Sequence, residues 1–280
     1  MQVISLKSEL SDLLDGLRKS GKKIGFVPTM GALHQGHLSL MKICRKNNDV
    51  AVASIFVNPT QFNDKNDLRN YPRMPDVDLK LLESAGCDIV FSPEVEEMYP
   101  EPDTRVFEFG NLGEVMEGSH RPGHFNGVAQ IVSKLFDCVM PDNAYFGEKD
   151  FQQLAIIKQL VRNNNLPINI VPCPIIREND GLAMSSRNLL LGKNERLNAP
   201  LIHQVLTKAV SLKNKYSVAE LKQWVIDQIN ANEFLNVEYF EIVDDVELMQ
   251  VNNWNEKSNK VGCIAVKAGN IRLIDNIRFN

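Results

Sequence analysis

The sequence has few cysteines, and their spacing matches no common motif. The five cysteines are scattered over 280 residues, and no C-x-x-C pair occurs. With an odd number of cysteines lying far apart and without a C-x-x-C pair, the sequence indicates neither a disulfide framework nor a zinc site. We expect reduced thiols, most of them in the core.

Long hydrophobic runs and an excess of basic residues are missing as well. No apolar stretch reaches the roughly 18 residues of a membrane span, and no secretory signal follows Met1. We therefore expect a cytoplasmic protein. Asp and Glu number 35 against 31 Lys and Arg, a net charge of -4. Because nucleic-acid binding depends on clustered basic residues, small-molecule partners are favoured over nucleic acid or membrane.

The first half of the chain alternates short β-rich runs with helical patterns. Runs at 23–27 and 50–57 flank a helical pattern over 37–47, which predicts a β-α-β unit. Near-continuous apolar strands such as 50–57 are typical of a parallel sheet covered on both faces. Further strand-like runs lie at 88–91, 144–146 and 169–171, with a helical pattern over 151–164. We predict an α/β fold with a doubly wound parallel sheet.

The pattern changes after residue 177. Helical patterns over 194–215 and 218–231 precede strand-like runs at 237–243, 263–267 and 271–274. This order is typical of an α+β domain. We predict two domains, residues 1–176 and a smaller one over 177–280.

Two histidines and a glycine follow the first predicted strand. Residues 27–37 read V-P-T-M-G-A-L-H-Q-G-H and enter a helix. Free N–H groups at a helix start favour an anion, and Gly36 leaves room for a phosphate. Imidazolium groups of His34 and His37 would stabilise charge on a transferring phosphoryl group. An isolated His-x-x-His pair is more often a metal site or two surface residues, but the strand and Gly36 favour phosphate.

No G-x-G-x-x-G or Walker sequence occurs, so a nucleotide would be held by another device, such as the H-x-G-H signature of nucleotidyltransferases. Residues 180–188, D-G-L-A-M-S-S-R-N, offer hydroxyls and an arginine for phosphates, and resemble the K-M-S-K-S element of related enzymes. Alternatively, Ser185 or Ser186 caps a helix.

Three further segments give weaker evidence of a binding site when each is taken alone. Lys149 and Gln153 share a helical face, where an exposed charged turn is equally consistent with the pattern. Gln61 follows the second predicted strand, where a polar side chain can reach a substrate. Arg121 and His124 precede a helix beginning near residue 126, and either contact a ligand or only stabilise that helix.

Taken together, the segments resemble the pantoate-β-alanine ligase (pantothenate synthetase) family. They read P-T-M-G-A-L-H-Q-G-H at 28–37, F-V-N-P-T-Q-F at 56–62, F-G-E-K-D-F-Q-Q-L at 146–154 and D-G-L-A-M-S-S-R-N at 180–188. The resemblance implies a Rossmann-like domain with a smaller lid-like domain, a homodimer, and ATP with Mg²⁺. The implied reaction condenses pantoate with β-alanine through a pantoyl adenylate, and releases AMP and pyrophosphate.

The resemblance also implies roles for single residues. His34, His37 and Lys149 would be catalytic, with His37 as proton donor. Gln61 and Gln153 would bind pantoate, and Gln61 would also lie near β-alanine. The implied ATP site consists of Met30, Gly31, Ala32, Leu33, His34, Gln35, Gly36, His37, Gly147, Glu148, Lys149, Asp150, Ile176, Met184, Ser185, Ser186 and Arg187.

No metal ligand is assigned, and rival functions stay open. Asp76 and Asp78 are candidates for assisting Mg²⁺, but Val77 interrupts the run of aspartates found in some relatives. The main rival is an adenylyltransferase with a phosphate-bearing acceptor, which would need more basic residues than the neutral Gln61 and Gln153. A non-catalytic RNA-binding module and a metal-binding His-x-x-His protein complete the set of candidates.

Overall fold

The computed structural model describes residues 1–256 and 258–279, and the backbone alone of Lys65. The strands are β1 (Gln2–Ile4), β2 (Ile24–Thr29), β3 (Val50–Ile55), β4 (Ile89–Phe91), β5 (Asn143–Gly147), β6 (Asn169–Cys173), β7 (Leu235–Asp244), β8 (Lys260–Ala268) and β9 (Ile271–Arg278). The helices are α1 (Lys7–Lys19), α2 (Gln35–Asn47), α3 (Lys65–Asn70), α4 (Pro75–Ser84), α5 (Val95–Met98), α6 (Asn111–Glu114), α7 (Glu117–His120), α8 (His124–Val139), α9 (Phe151–Asn163), α10 (Lys193–Asn198), α11 (Leu201–Leu212) and α12 (Val218–Asn230).

The first six strands form one parallel sheet in the order β1-β4-β3-β2-β5-β6. Successive side chains of β2 pack on opposite faces, Phe26 against α1, α8 and α9, and Val27 against α2 and α4. Both faces are therefore apolar, which explains the continuous hydrophobic runs in the sequence. The predicted doubly wound parallel sheet is confirmed.

The last three strands form a separate antiparallel sheet in the order β7-β8-β9. Helices α11 and α12 pack on this sheet through a core that includes Leu206, Leu221 and Ile264. The predicted α+β character is confirmed. The domain boundary between residues 176 and 177 follows β6 and stays a prediction.

Two of the differences from the sequence-based expectations concern α10–α11 and β1. The single helix predicted over 194–215 is wrong, because the chain forms α10 and α11 with Ala199 and Pro200 between them. Proline has no N–H to continue the hydrogen-bond ladder of α10, so a new helix starts after it. Strand β1 was not predicted, since a strand of 3 residues is too short to show a pattern.

The expected burial of the thiols is confirmed for four of the five cysteines, and Cys138 is half-buried. Among the described residues, no helix combines the length and the hydrophobicity needed to cross a membrane.

Candidate active site

A cavity of about 220 Å³ opens at the carboxyl edge of the large sheet. The loops that follow β2, β3 and β5 contribute to it, as expected for a parallel sheet of this type. It brings together many of the residues singled out in the sequence: Met30, His34, Gly36, His37, Gln61, Gly147, Lys149, Asp150, Gln153, Ile176, Met184, Ser185, Ser186 and Arg187. The remaining predicted residues do not line this cavity: Gly31, Ala32, Leu33, Gln35 and Glu148.

The loop between β2 and α2 is held by a buried carboxylate. The two oxygens of Asp78 accept hydrogen bonds from the backbone N–H groups of Ala32 (2.9 Å) and Leu33 (2.7 Å). Gly31 and Ala32 have φ angles of +78° and +49°, a region that non-glycine residues rarely adopt. Asp78 is 1% exposed. Its carboxylate therefore positions the loop, a role that the sequence alone did not reveal.

The two histidines cap α2 and hold each other in place. The Nδ1 of His34 accepts from the backbone N–H of Gly36 (3.1 Å), and the Nδ1 of His37 accepts from that of His34 (3.3 Å). Their rings are 4.1 Å apart. Because each Nδ1 accepts, a neutral ring carries its proton on Nε2. Each Nε2–H is then the group available to a ligand.

The charge state of these rings differs from the sequence-based expectation of imidazolium groups. Burial, followed by the nearby Lys149, lowers the pKa of His34 from 6.5 to about 4. Burial, followed by His34 and Lys149, lowers the pKa of His37 to about 3. Both rings are thus neutral at pH 7 in this structure. They offer N–H dipoles, while the full positive charge of the site comes from other residues.

Lys149 lies in the loop between β5 and α9, so the expectation that it shares a helical face with Gln153 is wrong. A strand of the small sheet supports this loop. The side-chain amide of Asn276 donates to the carbonyls of Glu148 (2.8 Å) and Lys149 (3.1 Å). The Glu148 carboxylate pairs with Arg278 at 2.9 Å, which turns it away from the cavity. The ammonium of Lys149 is 3.9 Å from Asp150. The small sheet therefore contributes to the position of a cavity lysine.

Residues 184–187 form another part of the cavity wall. Ser185 accepts from the backbone N–H of Arg187 at 3.3 Å, so the capping role considered for it is present. Ser186 contacts the hydroxyl of Tyr71 at 3.2 Å. The guanidinium of Arg187 pairs with Asp67 at 2.9 Å. To contact a phosphate, Arg187 would have to exchange this partner for the ligand.

Gln61 is 9% exposed and has partners on three sides. Its amide nitrogen donates to the sulfur of Met30 (2.8 Å), and its amide oxygen accepts from Asn58 (3.3 Å). Its backbone carbonyl accepts from Nδ1 of His124 at 2.9 Å. Burial, then the neighbouring Arg121, lowers the pKa of His124 to about 4. The structure thus connects the 121–124 segment to Gln61.

One wall of the cavity is apolar and was not predicted from the sequence. It is formed by one face of α8 together with Phe56. In the sequence, the apolar residues of α8 recur at helical spacing, but such a pattern usually indicates packing in the core rather than a ligand site. The lining residues from α8 are Val128, Ile131, Val132 and Leu135.

Comparison with known proteins agrees with this arrangement. The family model "Pantoate-beta-alanine ligase" matches residues 2–278. The chain belongs to this family. Proteins named pantothenate synthetase in Bacteroides fragilis and Porphyromonas gingivalis are 57% and 54% identical to it over 279 residues, covering 100% of this chain and 99% of each relative. The family assignment confirms the sequence-based prediction of a ligase that joins pantoate to β-alanine.

Solved structures give the same result. Pantothenate synthetase from Thermus thermophilus matches with a TM-score of 0.93 and 41% identity, over 100% of this chain and 99% of that one. Pantoate-beta-alanine ligase from Francisella tularensis, complexed with beta-gamma ATP and beta-alanine, matches with a TM-score of 0.83 and 35% identity, over 100% and 98%.

Proposed function

We propose that this protein condenses pantoate with β-alanine in the cavity at the carboxyl edge of the large sheet, using ATP. The observation that carries the proposal is the composition of one cavity. The Nε2–H groups of His34 and His37 and the ammonium of Lys149 lie in its wall with two glutamines and an apolar face. Cationic and N–H donors suit phosphates, and the amides with the apolar face suit a branched hydroxy acid.

In the proposed first step, a carboxylate oxygen of pantoate forms a bond to the α-phosphorus of ATP. The bond from that phosphorus to the bridging oxygen breaks, and pyrophosphate leaves with the electron pair. Neutral His34 and His37 would donate to phosphate oxygens through Nε2–H, while Lys149 and Arg187 would supply positive charge. The ATP site would comprise the loop 30–37, residues 147–150, Ile176 and residues 184–187.

In the proposed second step, the amine nitrogen of β-alanine forms a C–N bond to the acyl carbon. The acyl C–O bond to AMP breaks, AMP leaves with the electron pair, and the nitrogen gives up a proton. Gln61 and Gln153 would bind pantoate through their amides, with its methyl groups against the α8 wall. An enclosed site also protects the adenylate from water.

Mg²⁺ is proposed as the metal partner of ATP. No cluster of three or more metal-ligating side chains occurs among the described residues. This fits Mg²⁺, which usually binds through one or two carboxylates together with substrate phosphates. Asp150 lines the cavity, and its one ion pair among the side chains that the structure describes is with Lys149 at 3.9 Å. Asp150 would hold the ion, which neutralises phosphate charge when bound.

A homodimer in the cytoplasm, and a domain 177–280 that closes over ATP, complete the proposal. The family relationship supports the dimer. Asn276 and Arg278, which hold the Glu148–Lys149 loop, support the link between the small sheet and the site.

The test is exchange of labelled pyrophosphate into ATP, with pantoate and Mg²⁺ but without β-alanine. Exchange that depends on pantoate is expected, since the first step is reversible. A His37→Ala variant should lose most of this exchange, whereas Gln61→Ala should chiefly need more pantoate. Folded protein that binds ATP and shows no exchange would instead favour an adenylyltransferase with a phosphate-bearing acceptor.

A further inference from the structure

A second, larger cavity of about 770 Å³ adjoins the active-site cavity. The two share the wall residues Lys149, Asp150, Gln153, Ser185 and Arg187. Residues from α3, α7, α8, α9 and the small sheet also line the larger cavity. It is therefore the open space next to the proposed reaction centre from which a second substrate can approach.

Most charged groups in this adjoining cavity already have partners. Arg272 donates to both oxygens of Glu117 (2.6 and 2.7 Å) and to Glu238 (2.6 Å). The hydroxyl of Tyr239 also donates to Glu117 at 2.7 Å. Arg187 pairs with Asp67. The carboxylates nearest to the α7–α8 corner are thus taken up by other donors.

Arg121 has a weaker ionic contact than Arg272 and Arg187. Its guanidinium is 3.7 Å from Glu117, too long for a hydrogen bond, and its side chain is 22% exposed. It donates to Nε2 of His124 at 3.0 Å and lies 3.5 Å from the backbone carbonyl of Gln61. Neither of these two hydrogen-bond partners carries a negative charge, and the carboxylate of Glu117, an ion-pair partner at the longer distance, already accepts hydrogen bonds from Arg272 and Tyr239. The guanidinium thus has donors to spare for an anion.

The position of Arg121 fits the distance between the amine and the carboxylate of β-alanine, the second substrate. Arg121 lies beside the backbone of Gln61, whose side chain reaches the active-site cavity next to Met30. β-Alanine has a carboxylate three bonds from its nucleophilic amine. A guanidinium matches a carboxylate with two parallel hydrogen bonds.

We infer that Arg121 binds the carboxylate of β-alanine in the adjoining cavity and directs the amine past Gln61 to the acyl carbon. This assignment rests on the proposed function and names a specificity residue for its second substrate. His124 is a positioning residue, since it connects Arg121 to the Gln61 carbonyl. Arg121 therefore selects an amine that carries an acid group.

Competition between two amines tests the assignment without any substitution. Propylamine has a methyl group where β-alanine has its carboxylate. The unaltered protein, supplied with ATP and pantoate, should use β-alanine at a kcat/KM on the order of ten- to a hundredfold above that for propylamine, corrected for amine protonation. Equal use of the two amines would overturn the inference.

An Arg121→Gln variant should raise the KM for β-alanine by a similar factor and leave the rate with propylamine within about twofold. Arg121→Lys should recover part of the β-alanine preference, and Arg45→Gln, an exposed arginine at the opposite edge of the sheet, is the control. Equal loss with both amines, or loss of pantoate-dependent exchange, would show that Arg121 only holds Gln61 in place and would overturn the inference. If the unaltered protein gave no pantoate-dependent exchange, the proposed function itself would fail, and this assignment with it.

Discussion

The buried carboxylate of Asp78 offers a test of how the ATP loop is built. Substitution with asparagine keeps the shape of the side chain but replaces one oxygen with an NH₂ group. Asp78 accepts from the N–H groups of both Ala32 and Leu33. In Asp78→Asn, one of these N–H groups would face a donor and lose its partner inside a buried site.

The expected cost follows from this loss. A hydrogen bond to a charged group contributes about 1.5–3 kcal/mol. Removing the buried charge offsets part of it, because burial raises the pKa of Asp78 despite its two backbone donors. We expect a net loss of about 2 kcal/mol, equivalent to about thirtyfold in an equilibrium constant. The loop should become less ordered, and ATP should therefore bind more weakly.

Two measurements check this prediction, urea unfolding and the KM for ATP in pantoate-dependent pyrophosphate exchange. Asp76→Asn is the matched control, because Asp76 lies in the same first turn of α4 but is exposed. Stability and the KM for ATP should change in Asp78→Asn alone. If Asp78→Asn matched the unaltered protein in both, the carboxylate would not hold the loop.

Three further predictions concern protonation, close approach and a buried ion pair. Burial places the pKa of His124 below its unfolded value, so stability should fall between pH 7.5 and 5.5, and urea unfolding of His124→Asn should show about 1.4 kcal/mol less of this fall. In Gly36→Ala, the new Cβ would lie 2.8 Å from the His34 ring, and calorimetry should find ATP binding about tenfold weaker; unchanged affinity would contradict the contact. Arg272→Met removes the guanidinium that pairs with the buried carboxylate of Glu117, and the free energy of unfolding in urea should fall by about 3–5 kcal/mol. An unchanged free energy of unfolding would show that this ion pair does not stabilise the fold.

The large sheet was predictable because its signal is local. Strands buried on both faces are mostly apolar, and β3 shows this in five of its six residues, with Ser54 as the exception. The break between α10 and α11 was missed although Pro200 marks it, since the apolar spacing continues across the proline. A helical period therefore does not identify where one helix ends and another begins.

The site was predictable only in part, for a related reason. The motif residues lie in short segments at strand ends, where topology brings them together. The contacts of Asp78 with the ATP loop span 45 and 46 positions, and that of Arg121 with Gln61 spans 60. Such pairings depend on how α4 and α8 pack, and one sequence carries no periodic sign of them. The neutral state of His34 likewise follows from burial in the folded protein.

In the proposed reaction, pantoate is activated as an acyl adenylate before the amine attacks. A complete reaction with ATP, Mg²⁺, β-alanine and pantoate labelled with ¹⁸O in its carboxylate tests this order of steps. AMP should acquire one ¹⁸O atom per turnover, because the oxygen that attacks phosphorus stays with AMP when the amide forms. Unlabelled AMP, with ¹⁸O found in pyrophosphate or inorganic phosphate, would rule out the acyl adenylate.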